Sequence, residues 1–265
     1  MENKRVLITG ASSGIGLELA KLFAEDHYKM VIVSRDEQQL NRVAEVLIKK
    51  GASEVTVIAK DLSLPDSALE LHHETIQREL DIDVLVNDAG VGQYGLFSET
   101  DLEKEVAIIQ LNIISMVQLT KLYLREMLAG NGGRILQLSS VTAYQPTPKL
   151  AVYAATKAFI LSFSDAIAEE LKDTNVTITS LIPKQTATDF FNKAGMQDTK
   201  VANDNPDDPA LIAKIGYEAL MKGEKHATAP GVKQQIVMSS VMPNEQVAEK
   251  AGKQMKKVKR ENNRH

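Results

Sequence analysis

The chain has 265 residues, 43% of them apolar and 25% charged, which is typical of a globular protein large enough to bury a full core. It contains no cysteine, which excludes disulfides, thiolate metal sites and cysteine nucleophiles and is typical of a reducing compartment such as the cytoplasm. The net charge of −4 argues against a nucleic acid partner, and without a signal peptide or an apolar run of about 18 residues we expect no membrane span.

Short runs rich in valine and isoleucine alternate with longer stretches whose apolar residues recur at helical spacing. The short runs lack the alternation of half-exposed strands and predict buried parallel strands at residues 5–9, 30–34, 55–59, 84–87, 134–139 and 176–182. The longer stretches predict helices at residues 14–26, 37–50, 65–80, 101–129, 151–172, 208–222 and 234–260. This order predicts one α/β domain over residues 1–265, a Rossmann-type doubly wound parallel sheet with helices on both faces.

The turn between the first predicted strand and helix reads TGASSGIG. Gly10 suits a backbone conformation closed to other residues, whereas Gly14 and Gly16 let a ligand and the underlying strand approach closely. The helix start offers N–H groups and a positive dipole end to an anion, which predicts a dinucleotide pyrophosphate here, with an ordinary strand–helix corner as the alternative. The candidate contacts are Gly10, Ser12, Ser13, Gly14, Ile15 and Gly16.

The second predicted strand ends at Ser34 and Arg35, and Asp36 follows. Arginine pairs with a ribose 2′-phosphate through charge-assisted hydrogen bonds and serine does not repel it, whereas an acidic residue favours a free 2′-hydroxyl. We therefore expect NADP(H) in preference to NAD(H). Asp36 leaves NAD(H) open, since a small loop shift would bring its carboxylate to the ribose, but the same side chain is suited to cap the following helix.

Three further motifs follow in order: NDAG at residues 87–90, a serine pair at 139–140 and YAATK at 153–157. With the glycine turn they resemble, over residues 4 to about 188, the compact single-domain branch of the short-chain dehydrogenase/reductase superfamily. The resemblance implies hydride transfer between a nicotinamide cofactor and a carbonyl or alcohol. It also implies cofactor contacts from Asp61, Leu62, Asn87, Ala89, Gly90, Tyr153, Lys157, Pro183, Thr186 and Thr188, although Asn87 is equally a candidate to tie strands together.

Tyr153 and Lys157 lie four residues apart in a predicted helix and therefore share one face. A free tyrosine, with a pKa of about 10, is a poor base near neutrality, and an adjacent ammonium group lowers that pKa. We therefore expect Tyr153 to exchange a proton with the substrate oxygen. For an isolated pair at this spacing, ordinary packing with a snorkelling lysine is the alternative.

Two more polar residues complete the predicted catalytic set. Ser140 follows the fifth strand, at the edge of the sheet where ligands bind, and by the resemblance its spacing to Tyr153 favours it over Ser139. Asn112 matches the asparagine with which the family holds a water that relays protons to the lysine. A turn cap at Ser140 and a kink within a helix at Asn112 are the alternative interpretations.

The leading hypothesis is an NADP(H)-dependent oxidoreductase that interconverts a small-molecule carbonyl and an alcohol. The alternative is a non-catalytic dinucleotide-binding sensor or scaffold on the same fold, which we would expect to lack the tyrosine or the lysine. No metal is expected, because the five histidines are scattered or adjacent on different sides of a helix.

Three positions depart from the family's usual motifs. Asp88 replaces a second asparagine, Lys184 replaces a glycine and Thr156 replaces a serine. None of these changes removes a residue expected to transfer the proton or the hydride.

The last third of the chain predicts the parts around the substrate. Residues 184–209 predict a mobile substrate lid with short helical turns, whose apolar wall would be Phe190, Phe191 and Met196. Residues 232–265 predict a basic helical tail, either solvated or docked on an acidic partner or membrane surface. By resemblance, the long helices near 101–129 and 151–172 would join copies into a homodimer or homotetramer.

Overall fold

The computed structural model describes residues 4–258, so that Lys259, Arg260 and Arg264 of the predicted basic tail lie outside the described residues. Within them, one parallel sheet has the strand order β3-β2-β1-β4-β5-β6-β7. The strands are β1 Arg5–Thr9, β2 Lys29–Ser34, β3 Glu54–Ala59, β4 Val84–Asn87, β5 Gly133–Leu138, β6 Val176–Ile182 and β7 His226–Thr228. The six predicted strands are confirmed to within one residue. The edge strand β7 was missed, because three residues are too few to show a pattern.

Helices cover both faces of this sheet. They are α1 Gly14–Glu25, α2 Glu37–Lys49, α3 Ser67–Gln77, α4 Leu102–Ile109, α5 Met116–Ala129, α6 Ala151–Glu170, α7 Phe190–Lys193, α8 Lys200–Asn203, α9 Pro209–Lys222, α10 Val232–Val241 and α11 Asn244–Gln254. The predicted helix at 101–129 contains a π-helical segment, Gln110–Ser115, between α4 and α5. The prediction of one final helix at 234–260 was wrong: the helix stops before Pro243, which lacks the N–H needed to continue the hydrogen-bond ladder.

The central strand β1 is buried on both faces, as its unbroken apolar run predicts. Leu7 and Ile8 point to opposite faces and neither is exposed to solvent. Ile8 belongs to the core cluster under α1, α2 and α9, and Leu7 to the cluster under α3 and α5. The doubly wound fold is thus confirmed, with the sheet sandwiched between two apolar layers.

The strand order reverses beside β1, since β2 and β3 lie on one side and β4 to β7 on the other. Connections leave the carboxyl ends of β1 and β4 in opposite directions, which opens a crevice between them. The glycine turn after β1 and the NDAG segment after β4 meet at this crevice. The fold therefore places the two motifs side by side, far apart as they are in the chain.

Two helical runs, Leu102–Ala129 and Ala151–Glu170, have the length and mean hydropathy of membrane spans. The expectation of no span came from counting unbroken apolar runs, and mean hydropathy over a window is less strict. Both runs cover the sheet, and core helices of this kind pass the same test, so the two runs are weak evidence for a membrane.

The glycine turn packs against the end of β4 with almost no space to spare. Gly10 has a φ of +75°, and a Cβ added there would lie 2.9 Å from the Ala89 backbone nitrogen. A Cβ at Gly16 would lie 2.5 Å from Asp88 Oδ2 and 2.6 Å from the Gly10 carbonyl oxygen. The turn therefore requires glycine at both positions, at Gly10 for its backbone angle and at Gly16 for lack of room.

We predict that Gly16→Ala lowers the free energy of unfolding by about 1–3 kcal/mol, because the added methyl group must push the turn away from β4. Thermal or chemical unfolding measures the change. Gly252→Ala in α11 is the matched control, since its methyl group would meet only ordinary contact with Pro148 at 3.5 Å. Equal stability of the Gly16→Ala variant and the wild type would contradict the packing described here.

Candidate active site

The start of α1 is arranged to receive an anion. Ser13 precedes the helix without a side-chain capping bond, and the first turn of α1 contains no acidic residue. Uncapped first-turn N–H groups and a positive dipole end attract a phosphate. A cleft of about 200 Å³ opens above this turn and continues along the ends of β2 and β4.

Most of the predicted cofactor contacts line this cleft. They are Gly10, Ser12, Ser13, Gly14, Ile15, Ser34, Arg35, Asp61, Leu62, Ala89, Gly90 and Thr188. Gly16 does not line the cleft and instead packs beneath it. Pro183, Thr186, Tyr153 and Lys157 lie elsewhere: the first three line a second cavity, and Lys157 lies beneath Tyr153.

The end of β2 carries groups suited to a ribose phosphate. The Ser34 hydroxyl is buried and has no hydrogen-bond partner among the described residues. The Arg35 side chain is 64% exposed, and its Nη1 lies 4.0 Å from Asp61 Oδ2. Asp36 accepts the Gln39 N–H at 2.9 Å and caps α2. Of its two candidate roles, helix cap or ribose contact, the structure therefore shows the helix cap. This end of the cleft thus offers an arginine and a serine hydroxyl to a bound dinucleotide.

Ser140 and Tyr153 face each other at the inner end of the second cavity. Their side chains are hydrogen-bonded, and Ser140 Oγ also accepts the Thr142 N–H at 3.2 Å. Ser140 thus both caps the 3₁₀ turn Val141–Tyr144 and contacts the phenol. Ser139 instead donates its hydroxyl to the Lys157 carbonyl at 3.0 Å, so Ser140 is the serine available beside the tyrosine.

Lys157 lies in the interior directly below Tyr153. It is 3% exposed, its Nζ donates to the Leu138 carbonyl at 2.6 Å, and the same atom is 5.6 Å from the centre of the Tyr153 ring. Burial lowers the pKa of Lys157 to about 8, and the Asp88 carboxylate opposes this shift. The lysine thus loses its proton more easily than an exposed lysine does.

The predicted lowering of the Tyr153 pKa by the lysine was wrong for this structure. Burial raises the pKa of Tyr153 above its usual value, the Ser140 hydrogen bond acts in the opposite direction, and the Asp88 charge raises the pKa further. The phenolate would lose its hydration in this position, and the nearby ammonium group does not outweigh that loss. Tyr153 is therefore protonated at neutral pH.

Asn112 occupies the π-helical segment, where its amide joins the end of β4 to α6. Its Nδ2 donates to the Val91 carbonyl and to Thr156 Oγ1, each at 3.0 Å, and its Oδ1 accepts the Val91 N–H at 3.1 Å. A Cβ at Gly90 would lie 3.4 Å from Asn112 Oδ1 and 3.5 Å from Lys157 Nζ. The asparagine and the lysine thus flank the same glycine.

Asn87 has a different place from the other predicted contacts. It lines neither cavity, and its Nδ2 donates to Thr120 Oγ1 of α5 at 3.1 Å. Gln137 of β5 donates to the same hydroxyl at 2.8 Å. Of the two roles open for Asn87, cofactor contact or a link between elements, the structure shows the link between elements.

The second cavity has a volume of about 490 Å³ and adjoins the cleft, since Ile15, Leu138, Thr188 and Phe190 line both. The lid residues Phe190, Phe191 and Met196 line it as predicted, and the Phe190 ring lies 4.9 Å from the Tyr153 ring. Lys184, which replaces the usual glycine, pairs with Asp207 at 3.1 Å and joins the two ends of the lid. The predicted short helical turns of the lid are α7 and α8.

Two features of the site were missed from sequence. The outer wall of the second cavity includes residues from the last two helices: Met238, Met242, Val247, Ala251 and Met255. The last three recur every four residues, a pattern that predicts one apolar helix face. The other feature is the position of Asp88: the sequence marked this residue as a departure from the family motif, but not that its carboxylate lies beneath the glycine turn and lines the cleft.

Comparison with known proteins agrees with this geometry. The sequence profile of the family described as short chain dehydrogenase matches residues 4–199. The chain is 35% identical over 189 residues to the uncharacterized oxidoreductase YvrD of Bacillus subtilis, covering 71% of each protein. It is 34% identical over 187 residues to the very-long-chain 3-oxoacyl-CoA reductase of Mus musculus, covering 69% of this chain and 59% of the mouse protein.

Among solved structures, a short-chain dehydrogenase from Sphingobium yanoikuyae in complex with NADPH superimposes with a TM-score of 0.80. The two proteins are 25% identical, and the match covers 91% of this chain and 96% of the other. The elements from the glycine turn to the Tyr153–Lys157 pair all lie within the residues that the family profile matches. The chain therefore belongs to the short-chain dehydrogenase family of oxidoreductases.

Proposed function

We propose that the protein is an NADPH-dependent reductase that converts a ketone or aldehyde into an alcohol. The observation that carries this proposal is the hydrogen-bonded pair of Ser140 and Tyr153, which lies where the dinucleotide cleft adjoins the second cavity. A nicotinamide cofactor bound in the cleft supplies the hydride to the carbonyl carbon. Tyr153 donates its proton to the carbonyl oxygen, and Ser140 holds that oxygen in place.

Carbonyl reduction consumes a proton, and the reverse reaction releases one. A tyrosine at its usual pKa is protonated at neutral pH and burial raises the pKa of Tyr153 further, so the free protein carries the proton that reduction consumes. Carbonyl reduction needs a proton donor at this position. The buried Lys157, with its pKa near 8, is then suited to return a proton to the tyrosine after each cycle.

Asn112 would support this proton return. Its three hydrogen bonds to Val91 and Thr156 hold the π-helical segment beside Lys157. The family resemblance assigns such an asparagine a relay water, and we propose that role here. π-helical segments occur often at functional sites, where they bring a side chain out of the regular helical register.

The preference for NADPH rests on the end of β2. Arg35 is exposed enough to reach a 2′-phosphate, and the Ser34 hydroxyl has hydrogen-bonding capacity to spare. Asp36, the residue that would favour NADH, is engaged in capping α2.

We also propose that copies of the chain associate through the outer faces of α4 to α6, in the cytoplasm. The sheet side of α6 is formed by Ile160, Leu161, Ser164 and Ala168, which leaves Phe159 on its outer side. Phe159 stacks on Phe163, and Leu102 and Val106 of α4 are exposed. Exposed apolar side chains on adjacent helices are typical of subunit interfaces.

We predict that Tyr153→Phe keeps NADPH affinity within about threefold of the wild type yet lowers kcat for carbonyl reduction at least about a hundredfold, because it removes the donated proton. NADPH fluorescence and absorbance measure the two quantities. Tyr144→Phe is the control, since it loses the same hydroxyl outside both cavities. If the Tyr153 variant turned over as fast as the wild type, the proposed mechanism would be wrong. If the wild type and both variants bound NADPH but reduced no carbonyl, the sensor hypothesis would replace the proposed mechanism.

We predict that Arg35→Gln weakens NADPH binding by about 10- to 150-fold, the loss expected for a hydrogen bond to a charged group, and leaves NADH binding unchanged. Fluorescence titration with each cofactor gives the dissociation constants. Arg42→Gln removes the same charge from α2 at a residue outside the cleft and should change neither constant. Tighter binding of NADH than of NADPH by the wild type would contradict the assignment.

A further inference from the structure

The second cavity shows which substrates the proposed reductase accepts. It extends from the Ser140–Tyr153 pair past Phe190 and Phe191 to the last two helices. Its volume of about 490 Å³ lies within the range of about 300–1,000 Å³ typical of clefts that bury a small organic ligand. The cavity therefore has room for much more than a carbonyl group and one methyl group.

The wall formed by α10 and α11 carries an apolar, adaptable strip, flanked by Gln234, Gln235, Ser239 and Gln254. Met238 and Met242 line it at the end of α10, and Val247, Ala251 and Met255 line it along one face of α11. Methionine side chains are unbranched and adjust to irregular shapes. Met238 is 51% exposed although it faces the cavity, so an apolar ligand would remove part of that side chain from water.

Charged groups lie at the edge of this cavity. Lys184 is engaged by Asp207, and Asp204 and Lys250 are exposed at the surface. A hydroxyl or charged group buried among the methionine and phenylalanine side chains would lose its hydration without a partner. The apolar part of the cavity, which ends at the Ser140–Tyr153 pair, thus selects against polar substrates.

The outer wall is fastened to the lid. The Lys200 N–H donates to the Lys256 carbonyl at 3.0 Å, and the Val258 N–H donates to the Asp198 carbonyl at 2.7 Å. Tyr94 Oη donates to the Met255 carbonyl at 2.6 Å. α11 is therefore held over the cavity by backbone hydrogen bonds and defines its length.

We propose that the substrate is a carbonyl compound with a long or bulky hydrocarbon group, which α10 and α11 enclose while Ser140 and Tyr153 hold the carbonyl oxygen. This inference rests on the proposed carbonyl reduction. The hydrocarbon group displaces water from Met238 and its neighbours, and the carbonyl meets the Ser140 and Tyr153 hydroxyls at the inner end of the cavity.

The test measures kcat/KM for a series of straight-chain aldehydes and methyl ketones of increasing length at saturating NADPH. We expect an increase of about fourfold per added methylene group until the cavity is filled, the gain that burying one methylene provides. A polar aldehyde of equal size, such as an open-chain sugar, should be reduced at least about tenfold less efficiently than the long-chain compounds.

Two variants of α10 sharpen this test. Met238→Glu places a charge in the cavity wall and should lower kcat/KM for the longest substrate at least about tenfold, with little effect on the shortest. Val241→Glu adds the same charge on the same helix at a side chain that is 78% exposed and outside the cavity, and should change neither. Reduction of all compounds without dependence on length would overturn the substrate class and leave the proposed function intact. Failure to reduce any carbonyl would overturn both.

A separate observation concerns Asp88, which the proposed mechanism does not use. Its Oδ2 lies beneath the glycine turn and its carboxylate accepts the Gly16 N–H. Its Oδ1 is buried and has no hydrogen-bond partner among the described residues. A carboxylate from β4 thus occupies the underside of the helix start whose upper side forms the proposed phosphate site.

Few charges balance this carboxylate. The glycine turn has no charged residue between Gly10 and Gly16, and from α6 Lys157 is the cation whose charge acts on Asp88, with Tyr153 beside it. On the lid side of the cleft, Asp189 and Lys193 pair with each other at 3.3 Å. The remaining charges along the cleft, Arg35, Lys60 and Asp61, lie at its adenosine end.

We propose that Asp88 takes up a proton when the dinucleotide binds, so that cofactor affinity decreases as the pH rises. A pyrophosphate above the glycine turn and an ionised carboxylate below it would place like charges on the two sides of one helix start. Protonation of Asp88 removes this repulsion and keeps the Gly16 N–H bonded to a carboxyl oxygen.

The ionisation of Asp88 is suited to this role. Burial raises its pKa to about 7, while the Lys157 charge and the Gly16 N–H act in the opposite direction. Near neutral pH the free protein thus contains both forms of the side chain. Binding of an anion favours the protonated form and moves the pKa further up, so the linked proton is taken up and not released.

Isothermal titration calorimetry of NADH in two buffers of different ionisation enthalpy, at about pH 7.5, counts the protons taken up. NADH is the probe because the 2′-phosphate of NADPH would titrate by itself. We expect the wild type to take up about half to three-quarters of a proton per NADH, since Asp88 with a pKa of about 7 is already partly protonated at this pH, and Asp88→Asn to take up at least about half a proton less. The dissociation constant of the wild type should increase by up to about tenfold per pH unit above neutrality, and that of Asp88→Asn should stay nearly constant.

Asp189→Asn is the matched control. This residue lines the same cleft, and its hydrogen bond from Asn192 and its pairing with Lys193 hold its pKa below the usual value, so it is ionised throughout. The control should take up the same number of protons as the wild type. Proton uptake retained in Asp88→Asn, or a wild-type dissociation constant that does not change between about pH 6 and 8, would overturn the proposal. The wild-type measurements decide it even if the Asp88 variant folds poorly.

Discussion

The close contact between the glycine turn and the end of β4 is the constraint on which the site depends. Gly10 and Gly16 carry no side chain, so the end of β4 approaches until the Asp88 carboxylate lies against the start of α1. This contact buries a carboxylate whose charge acts on both Lys157 and Tyr153. One packing requirement therefore governs the proposed phosphate site and the charge balance of the proposed proton donors.

Local patterns in the sequence were sufficient for most of the fold. β1 to β6 each contain an apolar run, although in β3 only Ile58 is buried. The glycine turn and the Tyr153–Lys157 pair follow from spacing along a single element. The missed parts depend on contacts between distant segments: β7 pairs with β6 over three residues, and the backbone bonds between residues 198–200 and 256–258 join the lid to the C-terminal segment. No local pattern encodes such pairing. The break at Pro243 was visible in the sequence, however, and the single long helix predicted there ignored it.

For Tyr153 and Lys157, too, the sequence predicts where the side chains lie, whereas their pKa values depend on packing. Spacing predicts that Tyr153 and Lys157 share a helix face, and they do. The sign of the pKa shift at Tyr153 depends on how deeply the ring is buried and on whether the ammonium group is near enough to compensate. Those quantities exist only once α6 is packed against the sheet and Phe190 covers the ring. A sequence motif thus locates the proposed proton donor, whereas the packing around it determines the direction in which its pKa shifts.

The proposed catalytic residues and the outer part of the proposed substrate cavity occupy different stretches of this chain. Ser140, Tyr153 and Lys157 lie within residues 4–199, which match the family profile, and are held by β5, α6 and the sheet below them. The outer wall of the second cavity lies after that stretch, on helices fastened to the lid by a few backbone hydrogen bonds. α10 packs against the 3₁₀ turn that Ser140 caps, so we expect changes on the inner face of α11 to alter which hydrocarbon group fits with less effect on the Ser140–Tyr153 pair. The same arrangement explains why motifs indicate the reaction class, whereas the shape and chemistry of the cavity indicate the substrate class.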